Sequence, residues 1–209
     1  MTMVIALKLN NNIIMTADKR ITNSNYLGQL IGIASDDYKK IKIISNRYII
    51  SFAGRVEIAR KAFEFIDKKI NTINNYMDQN LFFKKAFNYG KKYYEENFPG
   101  EPLSVFYLGY FDHSEPKLIG FSSDDNYSGT EVGAIIKMNT INSDKEEWFI
   151  NETTDFINDE ISQRPFYYQF PRNVAELFSK AIKRVDNEMI GKTTYSVVLS
   201  SKGIDEYNH

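Results

Sequence analysis

Two short apolar segments at the start of the chain constrain its fold more than any other feature. Residues 3–9 and 13–17 are apolar except for one lysine and one threonine, and three consecutive asparagines lie between them. Asparagine tolerates the backbone conformations of tight turns, so this pattern predicts a β-hairpin. Neither segment alternates apolar with polar residues. Both faces of the hairpin are therefore predicted to be buried.

Length and charge narrow the class of protein. The chain has 209 residues, of which 43 % are apolar, and we expect one domain over residues 1–209. Its 26 basic and 27 acidic residues are well mixed, which argues against a nucleic-acid partner or an anionic membrane surface. The run from Met3 lacks the basic flank of a signal peptide, and no run is long enough to span a membrane. We expect a cytoplasmic protein.

The supply of catalytic and metal-binding side chains is also limited. The chain has no cysteine and only two histidines, which excludes disulfides, thiolate metal sites and cysteine nucleophiles and leaves little room for a Ser-His-Asp triad. We predict that the protein uses no cofactor and no metal. The acidic pairs at 36–37 and 124–125 are interpreted as loop carboxylates, with calcium or magnesium binding as the alternative.

The rest of the chain is predicted to contain groups of strands separated by groups of helices. Residues 21–40 are polar with two glycines and are predicted to form a long loop. Helices are predicted after Gly54, after Asp78 and from Pro171, and residues 138–170 are predicted to be a partly helical, aromatic cover. Strands are predicted at 41–44, 48–52, 103–111, 117–121, 130–137 and 193–199. This order favours an α+β fold in which helices lie outside antiparallel sheets.

A possible nucleophile stands at the beginning of the hairpin. Removal of Met1 would make Thr2 the first residue, and methionine before threonine is an easy substrate for methionine aminopeptidase, so we expect no propeptide. Asp18 lies at the end of the paired strand. A hydroxyl beside its own free amine, with an acid nearby, is an arrangement found in hydrolases.

Three motifs carry a resemblance to a known family. Asp18 lies sixteen residues after Thr2 and is followed two residues later by Arg20. Lys40 precedes a strand, and Phe-Ala-Gly at 52–54 closes the next strand before a helix. In these residues the chain resembles the proteasome β-subunit and HslV-like family of N-terminal-nucleophile hydrolases. The match covers residues 2–75. The spacing from Thr2 to Asp18 and from Lys40 to Gly54 fits the family without a gap, although the segment between the aspartate and the lysine is several residues longer than usual.

The resemblance implies a fold, a reaction and a set of catalytic residues. The expected fold is a four-layer αββα sandwich of two antiparallel sheets. The expected activity is that of a threonine-type peptidase or amidase acting on a peptide or other amide substrate. Thr2 would be the nucleophile, Lys40 would lower the pKa of its hydroxyl, Asp18 would hold Lys40, and the Gly54 N–H would face the oxyanion.

Three positions depart from the family pattern. Ala134 aligns with a serine of the family, and Asn187 and Ile190 align with an aspartate and a serine that support the threonine amine. An alternative is therefore a catalytically inactive subunit with an assembly or binding role. For either function the resemblance implies a homo-oligomer, such as a ring, and a possible ATPase partner. The aromatic residues at 166–170 are predicted to form a packing or subunit surface.

Overall fold

The computed structural model of the chain describes residues 2–24, 30–72, 78–139 and 143–209. The strands in these parts are β1 (Thr2–Leu9), β2 (Asn12–Asp18), β3 (Ile21–Ser24), β4 (Leu30–Ser35), β5 (Ile41–Ile44), β6 (Tyr48–Gly54), β7 (Ser104–Asp112), β8 (Glu115–Ser122), β9 (Thr130–Glu131), β10 (Ala134–Asn139), β11 (Thr194–Ser200) and β12 (Gly203–Asn208). The α-helices are α1 (Val56–Lys69), α2 (Gln79–Asn97), α3 (Ser143–Gln163) and α4 (Pro171–Arg184).

These elements form four layers. One sheet has the strand order β10-β1-β2-β11-β12, and the other has the order β5-β6-β7-β8-β9, with every neighbouring pair antiparallel. Helices α1 and α2 pack against the second sheet, α3 and α4 pack against the first, and a third apolar cluster fills the space between the sheets. The predicted α+β fold, a four-layer αββα sandwich, is confirmed.

The first hairpin explains how the layers stack. In β1, Met3 and Ile5 pack into the cluster with α3 and α4, whereas Val4 and Ala6 pack between the two sheets. All four residues are essentially inaccessible to solvent. Successive side chains of a strand point to opposite faces, so a strand without polar alternation must have an apolar layer on each side. The sheet with β1 and β2 at its centre is therefore an inner layer.

The outer helices follow the predicted apolar periodicity. Helix α1 buries Ile58, Ala62 and Ile66 on one face. Helix α2 begins after Asp78, whose side chain accepts a hydrogen bond from the Leu81 N–H and caps the helix. The apolar period of the sequence predicts that this face continues to Ile73, which lies outside the described residues.

The prediction of a loop over residues 21–40 was wrong, because β3 and β4 form a separate two-stranded sheet there. All six residues of β4 are exposed or half-buried, and Ile31 and Ile33 are among the exposed apolar residues. A hairpin that buries little apolar surface leaves no apolar period in the sequence. The strand predicted at 130–137 also divides, since β9 pairs with β8 in one sheet and β10 pairs with β1 in the other.

The aromatic segment that follows α3 is largely exposed. Phe166 is 80 % exposed and Phe170 is 64 % exposed, whereas Tyr168 is buried against α4. The long helix α3 confirms the predicted helical part of the cover. The role of the exposed rings as a subunit surface stays a prediction. Among the described residues, none of the helices combines the length and the apolar composition needed to cross a bilayer.

We predict that Gly90→Ala lowers the free energy of unfolding by about 2 kcal/mol, as overpacking typically does. A Cβ at this position of α2 would lie 2.3 Å from the carbonyl oxygen of Ile58 in α1, so the two helices would have to separate. The intrinsic helix preference of alanine opposes this effect. Urea unfolding would measure it. Gly32→Ala is the control, since none of the described residues comes within 4 Å of its Cβ position. Equal stabilities of the two variants would contradict the prediction.

Candidate active site

A buried carboxylate organises the candidate site. Asp18, at the end of β2, is fully buried. One oxygen, Oδ1, accepts the Met3 N–H at 2.8 Å, and the other, Oδ2, accepts the Arg20 N–H at 3.0 Å and the Gly191 N–H at 3.1 Å. The Lys40 ammonium lies 2.9 Å from Oδ1 and 3.0 Å from Oδ2. A buried charge is tolerated only with such partners, so Asp18 fixes the positions of four segments of the chain.

Lys40 reaches this carboxylate from the residue before β5. Its side chain is 1 % exposed, and its carbonyl oxygen accepts the Phe52 N–H of β6 at 3.2 Å. Burial lowers the pKa of the Lys40 ammonium from its ordinary value, and the Asp18 carboxylate offsets part of this effect by favouring the charged form. The pair therefore holds a cation at a fixed place in the interior.

Thr2, Lys40 and Gly54 line one cleft of about 280 Å³, together with residues of β3 and of the first turn of α1. Asp18 lies behind Lys40 and completes the set of four residues named from the sequence. Antiparallel pairing explains why they meet: β1 begins, β2 ends and β6 ends at the same end of the sandwich. Thr2 is 2 % exposed and is paired in β1 opposite Asn139.

Gly54 adopts a backbone conformation that requires glycine. Its φ is 114°, and a Cβ would lie 2.3 Å from the Leu103 carbonyl oxygen. Helix α1 begins two residues later at Val56. Because peptide dipoles make a helix N-terminus electropositive, the cleft beside Gly54 favours developing negative charge.

The segment before β11 is the part of the site that the sequence did not reveal. The Gly191 N–H binds Asp18 across 173 residues of chain, and a Cβ at Gly191 would lie 2.9 Å from the Cβ of Arg20. The side chain of Asn187 accepts the Met189 N–H at 2.9 Å, and Ile190 packs in the core below α4. A glycine needed for close approach would have been the only signal in the sequence.

Ala134 was predicted to occupy a position beside the threonine amine, and this prediction was wrong. The register places Ala134 opposite Leu7, whereas Asn139 lies opposite Thr2. Leu7 lies five positions after Thr2 in β1, which is about 17 Å at the usual rise per residue. The alanine therefore has no bearing on the chemistry at Thr2.

The acidic pair at 36–37 forms ion pairs with the residues that follow β2. The Asp36 carboxylate accepts Arg20 Nε at 2.6 Å and Arg20 Nη2 at 3.1 Å, and Asp37 pairs with Lys19. This hydrogen bonding lowers the pKa of Asp36 and raises that of Arg20. Among the described residues, no three His, Asp or Glu side chains are grouped so that they could hold a metal ion.

A larger cavity of about 600 Å³ lies at the opposite end of the sandwich. It is lined by the turn after β5, the turn after β7 and the turn after β11. Its side chains include Arg47, Asp112 and His113. Because Thr2, Lys40 and Gly54 lie at the other end of these strands, the smaller cleft is the candidate active site.

Comparison with protein families matches residues 2–136 of the chain with the family described as proteasome subunit. The chain belongs to the proteasome subunit family. Among solved structures, an Anbu (Gly-1) mutant from Hyphomicrobium sp. strain MC1 superimposes with a TM-score of 0.68 and 11 % identity, over 100 % of this chain and 87 % of that one. At this identity the likeness shows a common fold only. Comparison with curated protein sequences finds no match.

We predict that Lys40→Met lowers the free energy of unfolding of this proteasome-family chain by about 3–5 kcal/mol, because it leaves the buried Asp18 carboxylate without its cation. Lys39→Met is the matched control. Lys39 is half-exposed and pairs with Glu206 at 3.2 Å, so its loss should cost less than about 1 kcal/mol. Chemical denaturation at neutral pH measures both values. A loss at position 40 no greater than that at position 39 would show that the buried pair is not needed for stability.

Proposed function

We propose that the protein is an N-terminal-threonine hydrolase of peptides or other amides, with Thr2 as the nucleophile after removal of Met1. The observation that carries this proposal is the cleft that Thr2 shares with Lys40 and Gly54, with the buried Asp18 carboxylate behind Lys40. A hydroxyl, a fixed cation and an electropositive backbone turn are the groups that amide hydrolysis requires. Membership of the proteasome subunit family supports the same reaction class.

In the first half of the reaction the Thr2 hydroxyl attacks the substrate carbonyl carbon. The free α-amine of Thr2, with an ordinary pKa near 8, takes the hydroxyl proton as the Oγ–C bond forms. The tetrahedral intermediate then collapses: the C–N bond breaks, and the amine delivers the proton to the leaving nitrogen. In the second half a water molecule attacks the acyl-threonine ester in the same way, which releases the acid and restores Thr2.

Lys40 supports both halves as a fixed positive charge. An ammonium near the Thr2 hydroxyl and amine stabilises their deprotonated forms and so lowers both pKa values. Asp18 favours the charged form of Lys40 against the cost of burial. The Gly54 N–H, beside the N-terminus of α1, would donate to the oxyanion, an interaction commonly worth about 3–4 kcal/mol in such sites.

Intact mass spectrometry tests the proposal. We expect purified protein to lack Met1 and to gain the mass of one inhibitor on incubation with a peptide epoxyketone, with the adduct on Thr2. Thr2→Ala should form no adduct, and Thr2→Ser, which keeps a hydroxyl, should form it. Thr130→Ala, at the exposed strand β9, is the control and should react like the unmodified chain.

Retention of Met1 would block the amine and would overturn the proposal. So would an adduct that Thr2→Ala still forms. In either case the better explanation is that the protein is a catalytically inactive subunit with an assembly or binding role.

Assembly belongs to the same proposal. Family membership supports a homo-oligomeric state such as a ring. An ATPase partner and a cytoplasmic location stay predictions from the sequence.

A further inference from the structure

Arg20 connects the catalytic end of β2 with two other parts of the chain. Its guanidinium binds Asp36 through Nε and Nη2, an arrangement in which two parallel hydrogen bonds fix the plane of the group. Its Nη1 donates to the Glu188 carbonyl oxygen. The Arg20 side chain is 17 % exposed and that of Asp36 is 48 % exposed, so this pair is partly shielded from water.

The backbone around Asp36 is held to the same region. The Asp36 carbonyl oxygen accepts the Thr193 hydroxyl at 2.8 Å, and the Thr193 carbonyl oxygen accepts the Lys19 N–H at 3.0 Å. The Tyr38 N–H binds the Lys19 carbonyl oxygen at 3.0 Å. The segment that carries Asp36 is thus fastened on both sides, and its carboxylate presents a fixed partner to Arg20.

Contacts continue from Arg20 to the buried ion pair. The Arg20 N–H and the Gly191 N–H both donate to Oδ2 of Asp18, and Gly191 packs so closely on Arg20 that a Cβ there would clash with it. The Arg20 guanidinium holds the segment that contains Gly191 through Glu188. If Asp36 fixes the guanidinium, it also fixes two of the donors that aim the Asp18 carboxylate at Lys40.

We propose that Asp36 is a positioning residue that acts through Arg20 to hold Asp18 and Lys40 in place. The proposal has two parts. The structural part is that Asp36 holds the N–H donors of Asp18, and the catalytic part, its effect on the reaction of Thr2, rests on the proposed function. The described lining of the cleft includes Arg20 but not Asp36, so Asp36 acts on the site through Arg20.

The charges around Lys40 predict in which direction its pKa changes when Asp36 is replaced. Among the described residues, the charged groups that act on the Lys40 ammonium include Asp18, Arg20 and Asp36. After removal of Met1 the Thr2 amine would join them. Asp36→Asn removes a negative charge that raises the pKa of Lys40, while the Arg20 charge, which lowers that pKa, stays. Lys40 should therefore lose its proton at lower pH. A reaction that needs the ammonium should then decline at lower pH.

Asp36→Asn and Asp37→Asn form a matched pair of test variants. Asp37 is the next residue, and its carboxylate is 87 % exposed and pairs with Lys19 rather than Arg20. The first readout is hydrogen exchange of the Gly191 amide, which we expect to be at least about 10-fold faster in Asp36→Asn and unchanged in Asp37→Asn. The Val197 amide in β11 reports whether the sheet is intact and should not change.

The second readout is the rate of epoxyketone addition to Thr2 as a function of pH. For Asp36→Asn we expect a rate about 10-fold to 100-fold lower, because small misplacements of catalytic groups have effects of this size, with the alkaline decline moved to lower pH. Asp36→Glu, which keeps the charge, should restore part of the rate. Arg20→Lys keeps the cation and the Asp36 charge but loses the two parallel hydrogen bonds, so it should lower the rate without moving the alkaline decline. It tests the geometric part of the proposal even if Asp36→Asn folds poorly.

Two results would overturn the positioning role. One is exchange of the Gly191 amide equal in Asp36→Asn, Asp37→Asn and the unmodified chain. The other is a lower rate of epoxyketone addition in Asp36→Asn that comes with an unshifted pH profile and with faster hydrogen exchange of the Val197 amide. This combination would indicate a general loss of stability.

Failure of the proposed function is recognised separately. If the unmodified chain forms no adduct, the hydrolase proposal is rejected. Hydrogen exchange of the Gly191 amide then still decides whether Asp36 holds the N–H donors of Asp18. If the unmodified chain reacts and Asp36→Asn matches it in rate, pH profile and exchange, the hydrolase proposal stands and the positioning role is rejected.

Discussion

The buried ion pair between Asp18 and Lys40 is the interaction on which the rest of the structure depends. Removing both charges from water is costly, and the structure offsets this cost with three backbone N–H donors to the carboxylate. These donors come from the start of β1, from the residues after β2 and from the segment before β11. Any movement of these segments would leave a buried charge with fewer partners. The pair therefore links the position of the candidate nucleophile to the packing of both sheets.

The layered architecture places this pair where chemistry is possible. Two antiparallel sheets stack with apolar residues between them, and helices cover the outer faces. The ionised Asp18 and Lys40 lie at one end of the strands, outside these apolar clusters, where backbone amides are available to the carboxylate. At the same end the backbone of Gly54 turns from β6 towards α1, and the cleft opens between these elements. The strands thus supply rigidity, and their ends supply the functional groups.

Local patterns of residues in the sequence were sufficient to predict most of the helices and strands. The hairpin of β1 and β2, the helices α1, α2 and α4 and the strands β5 to β8 each carry a periodicity or a cap that arises within a short segment. The hairpin of β3 and β4 carries no such signal, because it buries little apolar surface. The division of residues 130–137 between two sheets was likewise hidden, since a strand's sequence does not specify its neighbour.

The sequence by itself, through its resemblance to the proteasome family, indicated which residues could form the site, and Thr2, Asp18, Lys40 and Gly54 lie at or beside the ends of strands that were predicted locally. Only the tertiary structure decided what surrounds them. The hydrogen bond from Gly191 to Asp18 joins residues 173 positions apart, and the ion pair of Arg20 with Asp36 depends on how a largely exposed hairpin folds back. Contacts between distant segments are set by the packing of whole layers, and no local pattern of residues encodes them.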